Sequence, residues 1–305
     1  MPLDPLHTLE AYSLHGFTSA GAADEMVLDY TAFFNEIECT DPHLLQYKIN
    51  DDVVAITEQH VDEGCFSFRF VAGNPQDLPL IYDIGAASTT EINPGDNRVV
   101  VRGAWVIVVP NSRIVIVEKR RPGITIFQIE KFLTRFGREQ LGLVGLSIAI
   151  NPIPSSNFTK EVKQLTRIRE ATVVMRRPNY SWGDMAKELI GAPAAESNAA
   201  EIRIQINADR NQSLANDRGM IHDLLKLVQS PITGLKNAIV RGQSPTQAGE
   251  YTVSLEKTKL RETIRIPKSA TEKEVREGLG QLANNLIDSI HKMSKSAGGD
   301  GSAKD

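Results

Sequence analysis

The chain has 305 residues, 41% of them apolar, and a formal net charge of −4. That apolar share builds a core and excludes wholesale disorder, while no run of about eighteen apolar residues is present to cross a bilayer. The small net charge hides a sorted one: residues 1–97 set seventeen Asp and Glu against Lys48 and Arg69, a net of −15, residues 98–180 carry +10, and residues 181–305 carry +1.

Cys39 and Cys65 are too few for a disulfide framework, and no basic cluster leads into an apolar stretch at the start. A reduced, cytoplasmic protein without a secretory signal is the expectation. In chain order, residues 24–36 predict a helix, and 45–49, 53–58 and 65–71 predict strands. The last of these alternates, with Phe66, Phe68 and Phe70 on one face and Ser67 and Arg69 on the other. Turn residues at 93–95 coincide with the change of charge, which places a border near residue 97, either between domains or in composition alone.

Residues 99–109 and 113–118 predict a hairpin joined at Pro110, Asn111 and Ser112. A helix over 124–136 follows, with Gly137 suited to its C-terminal cap. Strands at 143–150, 171–175 and 201–207 alternate with helices at 158–165, 181–190 and 216–229. Three short strands close the pattern at 238–241, 252–255 and 262–266. The expected fold is α+β or α/β, a mixed sheet with helices packed on it and several parallel crossovers. Residues 1–97 form an acidic, β-rich α+β segment and 98–293 a basic-to-neutral α/β domain. The latter ends in an amphipathic helix over 271–291, opened by a Thr271–Glu274 capping box, that either docks on the sheet or serves a partner. Residues 294–305 read as a disordered tail.

The basic residues cluster at strand ends. Lys119, Arg120 and Arg121 follow one predicted strand, Arg176 and Arg177 with Asn179 another, and Arg210 a third. If those strands ran parallel, their carboxyl ends would share one rim beside helix N-termini, where anions are favoured. Arginine forks suit phosphate oxygens, and Lys131, Arg135 and Arg138 on the following helix broaden the positive surface. The competing use is pairing with the acidic third of the same chain, which would then shield the rim. Tyr180 and Trp182 are the aromatics nearest these arginines, with core packing the simpler role for Trp182.

Glu118, Asp184 and Asp209 are the acids beside that rim, as a nuclease would require, but no catalytic motif accompanies them. Arg218 and His222 lie four apart on one helix and read as a surface pair. Cys39, His43, His60 and Cys65 form two pairs of soft ligands whose spacing matches no familiar zinc pattern. No metal and no cofactor is expected.

The hairpin from Trp105, the Ile129–Leu133 stretch, residues 165–179 and the Ala238–Gly242 stretch together resemble the bacterial proteins grouped as domain of unknown function 4747. The resemblance spans 103–242 and implies a mobile-element or defence setting, with no reaction attached. The functional expectation is a component of an anti-phage or mobile-element system that binds DNA or RNA through the phosphate backbone. The alternatives are an assembly protein whose copies join through acid–base complementarity, an acidic protein surface as partner, or a nucleotide-processing enzyme.

Overall fold

A computed structural model describes residues 4–19, 25–77, 79–95, 97–120, 122–176, 201–230, 234–245 and 247–298. The first half of the chain runs β1 (Leu6–Ser19), β2 (Glu25–Val27), α1 (Tyr30–Cys39), β3 (Gln46–Ile49), β4 (Asp52–Asp62), β5 (Cys65–Gly73), β6 (Leu80–Asp83), β7 (Ser88–Glu91), β8 (Arg102–Val109) and β9 (Ile114–Lys119). It continues with α2 (Ile126–Glu139), β10 (Ser147–Pro152), α3 (Ser156–Gln164), β11 (Arg167–Arg176), β12 (Glu201–Asn207), α4 (Gly219–Leu227), β13 (Leu235–Ser244), β14 (Gln247–Ser254), β15 (Arg261–Arg265) and α5 (Glu272–Gly298).

A nine-stranded sheet runs β10-β1-β9-β8-β5-β4-β3, with β15 and β2 also bonded to β1. A second sheet runs β12-β11-β13-β14, and β6 with β7 stands alone. Every paired register among the described residues is antiparallel. The fold is therefore α+β, and the expected parallel crossovers are corrected. Tight turns permit only antiparallel neighbours at β4–β5 and β8–β9, and β11 meets β12 and β13 antiparallel across longer connections. Glu63 and Gly64 take positive φ to fold β4 onto β5, and Arg113 does so to close the turn from Pro110 to Ser112 between β8 and β9.

The strand that organises the large sheet was not among the predicted elements. β1 meets β15 over Leu6 to Glu10, β9 over Thr8 to Ser13, β10 over Tyr12 to Phe17, and β2 at its end. β5 pairs with β8 from Phe66 opposite Val108 to Ala72 opposite Arg102. The change of charge near residue 97 thus lies inside one continuous sheet.

Alternation along these strands gives the sheet two apolar faces. One face carries Leu14, Phe66, Phe68, Phe70, Val115 and Val117 against Phe33 and Phe34 of α1 and Phe132 and Phe136 of α2. Edge-to-face contacts fix this cluster, with Phe33 and Phe136 ring centres 5.8 Å apart. The other face carries Leu9, Ala11, Trp105, Ile107, Ile114 and Ile116 beneath Leu279, Leu282, Ala283, Leu286, Ile287 and Ile290 of α5. Of the two uses expected for that amphipathic helix, its apolar stripe serves docking within the chain. Thr271 and Glu274 form the anticipated capping box, the Thr271 N–H donating to Glu274 at 2.7 Å and the Glu274 N–H to the Thr271 hydroxyl at 3.3 Å.

Several boundaries differ from expectation, three of them for a visible reason or consequence. The first helix starts at Tyr30 because the Asp29 side chain caps it, accepting from Ala32 N at 3.0 Å. The last helix runs on to Gly298, into the stretch expected to be disordered, and 299–305 lie outside the described residues. Gly137 is inside α2 rather than at its cap. A Cβ there would stand 2.2 Å from Leu146 Cδ2 and 2.9 Å from Phe33 Cε2, so the residue is glycine to let its neighbours close in. The predicted helix 181–190 lies outside the described residues.

The second sheet has its own core. Ala171, Val173 and Met175 of β11 and Leu235, Ala238 and Val240 of β13 pack with Phe158 and Val162 of α3 and Ile221, Leu224 and Leu225 of α4. No helix among the described residues is long and apolar enough to cross a membrane.

Candidate functional site

A cavity of about 600 Å³ opens where the end of the second sheet meets the large sheet and the first turn of α2. Lys119, Arg120, Arg176, Lys236 and Lys259 line it, with Glu130, Glu256 and Tyr12. Each arrives by a local rule. Lys119 shares the face of Val115 and Val117 on β9, which turns it toward α2, and Glu118 shares the opposite face with Ile114 and Ile116. Arg176 ends β11 beside Gly234, whose carbonyl accepts from Arg176 N at 2.7 Å. A Cβ on Gly234 would lie 2.6 Å from the Arg176 carbonyl oxygen, so glycine lets β13 start there and deliver Lys236 two residues on.

The innermost wall is a buried ionic group. Lys259 Nζ lies 2.9 Å from Glu10 and 2.8 Å from Glu256. The Tyr12 hydroxyl donates to Glu10 at 2.6 Å and accepts from Lys259 at 3.2 Å. Burial alone would raise the Glu10 pKa, but the Tyr12 hydroxyl and the Lys259 ammonium outweigh it and hold the carboxyl below its ordinary value. Burial, reinforced by the Glu10 charge, pushes the Tyr12 phenol far up, so it stays a donor.

The other cations are also paired, at different depths. Arg176 bonds Glu130, which accepts from Ile150 N at 2.7 Å. Arg120 donates from Nε to Glu118 at 2.8 Å, and Lys236 pairs with Glu201. Lys119 stands 3.9 Å from Glu10, a loose pair. The side chains of Lys119, Arg120 and Lys236 remain 40%, 43% and 38% exposed, whereas Lys259 is 4% exposed. Three cations thus face the opening, and Lys259 supports the wall behind them.

Of the residues singled out from sequence, Lys119, Arg120 and Arg176 meet in this cavity. Arg121, Arg177, Asn179, Tyr180, Trp182 and Asp184 lie outside the described residues. The shared rim of parallel carboxyl ends does not exist. β12 is antiparallel to β11, with Glu201 opposite Arg176 and Asn207 opposite Glu170, so Asp209 and Arg210 follow the far end of that sheet. Glu118 is buried and occupied, accepting from His7 at 2.8 Å and Trp105 N at 3.2 Å besides Arg120. Glu118 and Asp209, the two described acids of the nuclease reading, therefore lie apart.

The soft-ligand set is dispersed. Cys39 ends α1 and bonds Glu38, His43 lies in the following 3-10 turn, and Cys65 opens β5. His60 packs 5.9 Å from the Trp105 ring and meets Arg276 of α5 at 2.6 Å. Burial pushes the Cys65 thiol up, away from thiolate chemistry. Among the described residues no group of three or more His, Cys, Asp or Glu is arranged to hold a metal. Lys236, Lys259, Glu10 and Tyr12 were not read as site residues, since only the tertiary pairings bring them here.

These features define an antiparallel α+β protein with a basic cleft between two sheets. The family model described as domain of unknown function (DUF4747) matches residues 104–282, more than half of the chain, and the protein belongs to that family. The matched span carries all five cavity cations, while Glu10 and Tyr12 precede it. No curated protein matches the chain.

Proposed function

We propose that the cleft binds the phosphate backbone of a nucleic acid. The observation that carries this reading is the convergence of Lys119, Arg120 and Lys236, each about two-fifths exposed, at one opening of about 600 Å³. Cations gathered in a concave site attract polyanions more strongly than the same charges scattered over a convex surface. The first turn of α2 adds the positive end of a helix dipole. Arg120 engages Glu118 through Nε, which leaves its terminal nitrogens to fork onto phosphate oxygens. In this role the protein would serve as the nucleic-acid-binding component of an anti-phage or mobile-element system.

The test is oligonucleotide binding followed by fluorescence anisotropy as salt is varied. Affinity falls log-linearly with salt, with a slope of about −0.7 for each phosphate contacted on a single strand. Lys119→Glu, Arg120→Gln and Lys236→Glu each reduce affinity, and together they abolish binding. Arg176 is a poor probe, because removing it leaves Glu130 buried without its cation, whereas Arg120→Gln keeps a donor beside Glu118, which also accepts from Trp105 N. Binding indifferent to salt and to these three changes rejects the reading.

A further inference from the structure

The cleft does not end at its own rim. Phe127, in the first turn of α2, lines both it and a second groove of about 440 Å³ on the outer side of the same helix. Lys48, Lys131, Arg135 and Arg138 line that groove against one carboxylate, Glu139. Phe127, Lys131, Arg135 and Arg138 follow one another at helical spacing and form a stripe opposite the buried Ile129, Phe132, Leu133 and Phe136. Twelve residues of helix extend this stripe over about 16 Å.

Two details mark the stripe as available. Phe127 is 46% exposed, an apolar ring left in solvent on a helix that otherwise buries its aromatics. Lys131 Nζ lies 5.5 Å over that ring, so the ring already sits beside a cation at the place where a phosphate would arrive. Arg135 is held by Glu139 and by the Lys48 carbonyl, and Arg138 by the Leu146 carbonyl. Among the described residues no carboxylate pairs with Lys48 or Lys131.

Resting on the reading of the cleft given above, we propose that Phe127 is a base-stacking platform that joins cleft and groove into one track for an unpaired strand. The strand's phosphates meet Lys119, Arg120 and Lys236 on one side of the ring and Lys48 and Lys131 on the other. A base between them stacks on Phe127. Alternating cations and an exposed aromatic ring suit a single strand, since every free base has a π face and those of a duplex are already stacked.

Labelled single-stranded DNA and RNA and a duplex of the same sequence provide the test on the intact chain, with the thermal midpoint as a check on folding. Phe127→Ala lowers single-strand affinity about ten-fold and leaves the salt slope unchanged. Phe127→Trp restores or raises it. Lys48→Glu with Lys131→Glu makes the slope shallower, and the duplex binds more weakly than either strand. If Phe127→Ala matches the parent protein while Lys119→Glu, Arg120→Gln and Lys236→Glu together still abolish binding, the track is rejected and the cleft stands. Equal loss of duplex and single-strand affinity in Phe127→Ala also rejects the stacking role. If no oligonucleotide binds the parent protein, cleft and track are rejected together.

Discussion

Lys259 and Glu10, 249 positions apart in the chain, meet at 2.9 Å with both side chains no more than 5% exposed. The contact ties the loop after β14 to the middle of β1 and closes the back of the cleft. Lys259→Met strands the Glu10 carboxylate in the interior and destabilises the fold by about 3–5 kcal/mol. Adding Glu10→Met returns much of that loss, because two apolar side chains leave no uncompensated charge. Urea unfolding of the two single variants and the double variant measures the coupling.

The same contact predicts acid sensitivity. Although burial opposes it, Tyr12 and Lys259 hold the folded pKa of Glu10 below its ordinary value of 4.5. A depressed carboxyl pKa contributes stability that is present above the unfolded value and is lost as pH falls through the folded one. Stability therefore declines as pH drops below about 4.5, and Glu10→Gln, less stable at neutral pH, declines less steeply there. Parallel pH profiles for the two proteins would show the point, and identical slopes would refute it.

Gly137→Ala places a methyl group 2.2 Å from Leu146 Cδ2 and 2.9 Å from Phe33 Cε2. Helix propensity alone favours alanine by about 1 kcal/mol. Crowding in a filled core costs about 1–3 kcal/mol, so net destabilisation is expected, seen as a lower thermal midpoint. A rise in the midpoint would mean that Leu146 yields freely.

Docking of α5 is tested at Leu286, fully buried against the large sheet. Leu286→Ala costs about 2–5 kcal/mol. Thr271→Ala, which removes the cap while leaving the docked stripe intact, costs about 1 kcal/mol. Hydrogen exchange should show the cap variant opening only the first turn of α5, and the core variant destabilising the whole helix.

Legibility in the sequence followed the chemistry of each element. Phe66, Phe68 and Phe70 alternate without interruption, and β5 was read from them. The stripe from Val275 to Ile290 and the Thr271–Glu274 box made α5 equally plain. β1 was missed because its buried positions include Glu10, Ser13 and His15, so polar residues stand where a period-two pattern expects apolar ones. Strand direction was also hidden, since antiparallel pairing of β11 with β12 and β13 depends on partners distant in sequence. In the site, the run Lys119–Arg120 and the residue Arg176 announced themselves by local density. Lys236 has no such neighbours, Lys259 sits among Lys257 and Arg261 but at no predicted strand end, and pairing across the sheets is what brings the two to the cleft.

The placement of β1 also constrains how the protein can be made. This segment leaves the ribosome before its partners β9, β10 and finally β15, whose last residue is Arg265. Until those segments emerge, its hydrogen-bonding edge must wait unsatisfied, and contacts spanning so much chain form slowly. Nascent chains stalled before β15 should therefore be captured by chaperones and cut by proteases, and emergence of β15 should end that vulnerability.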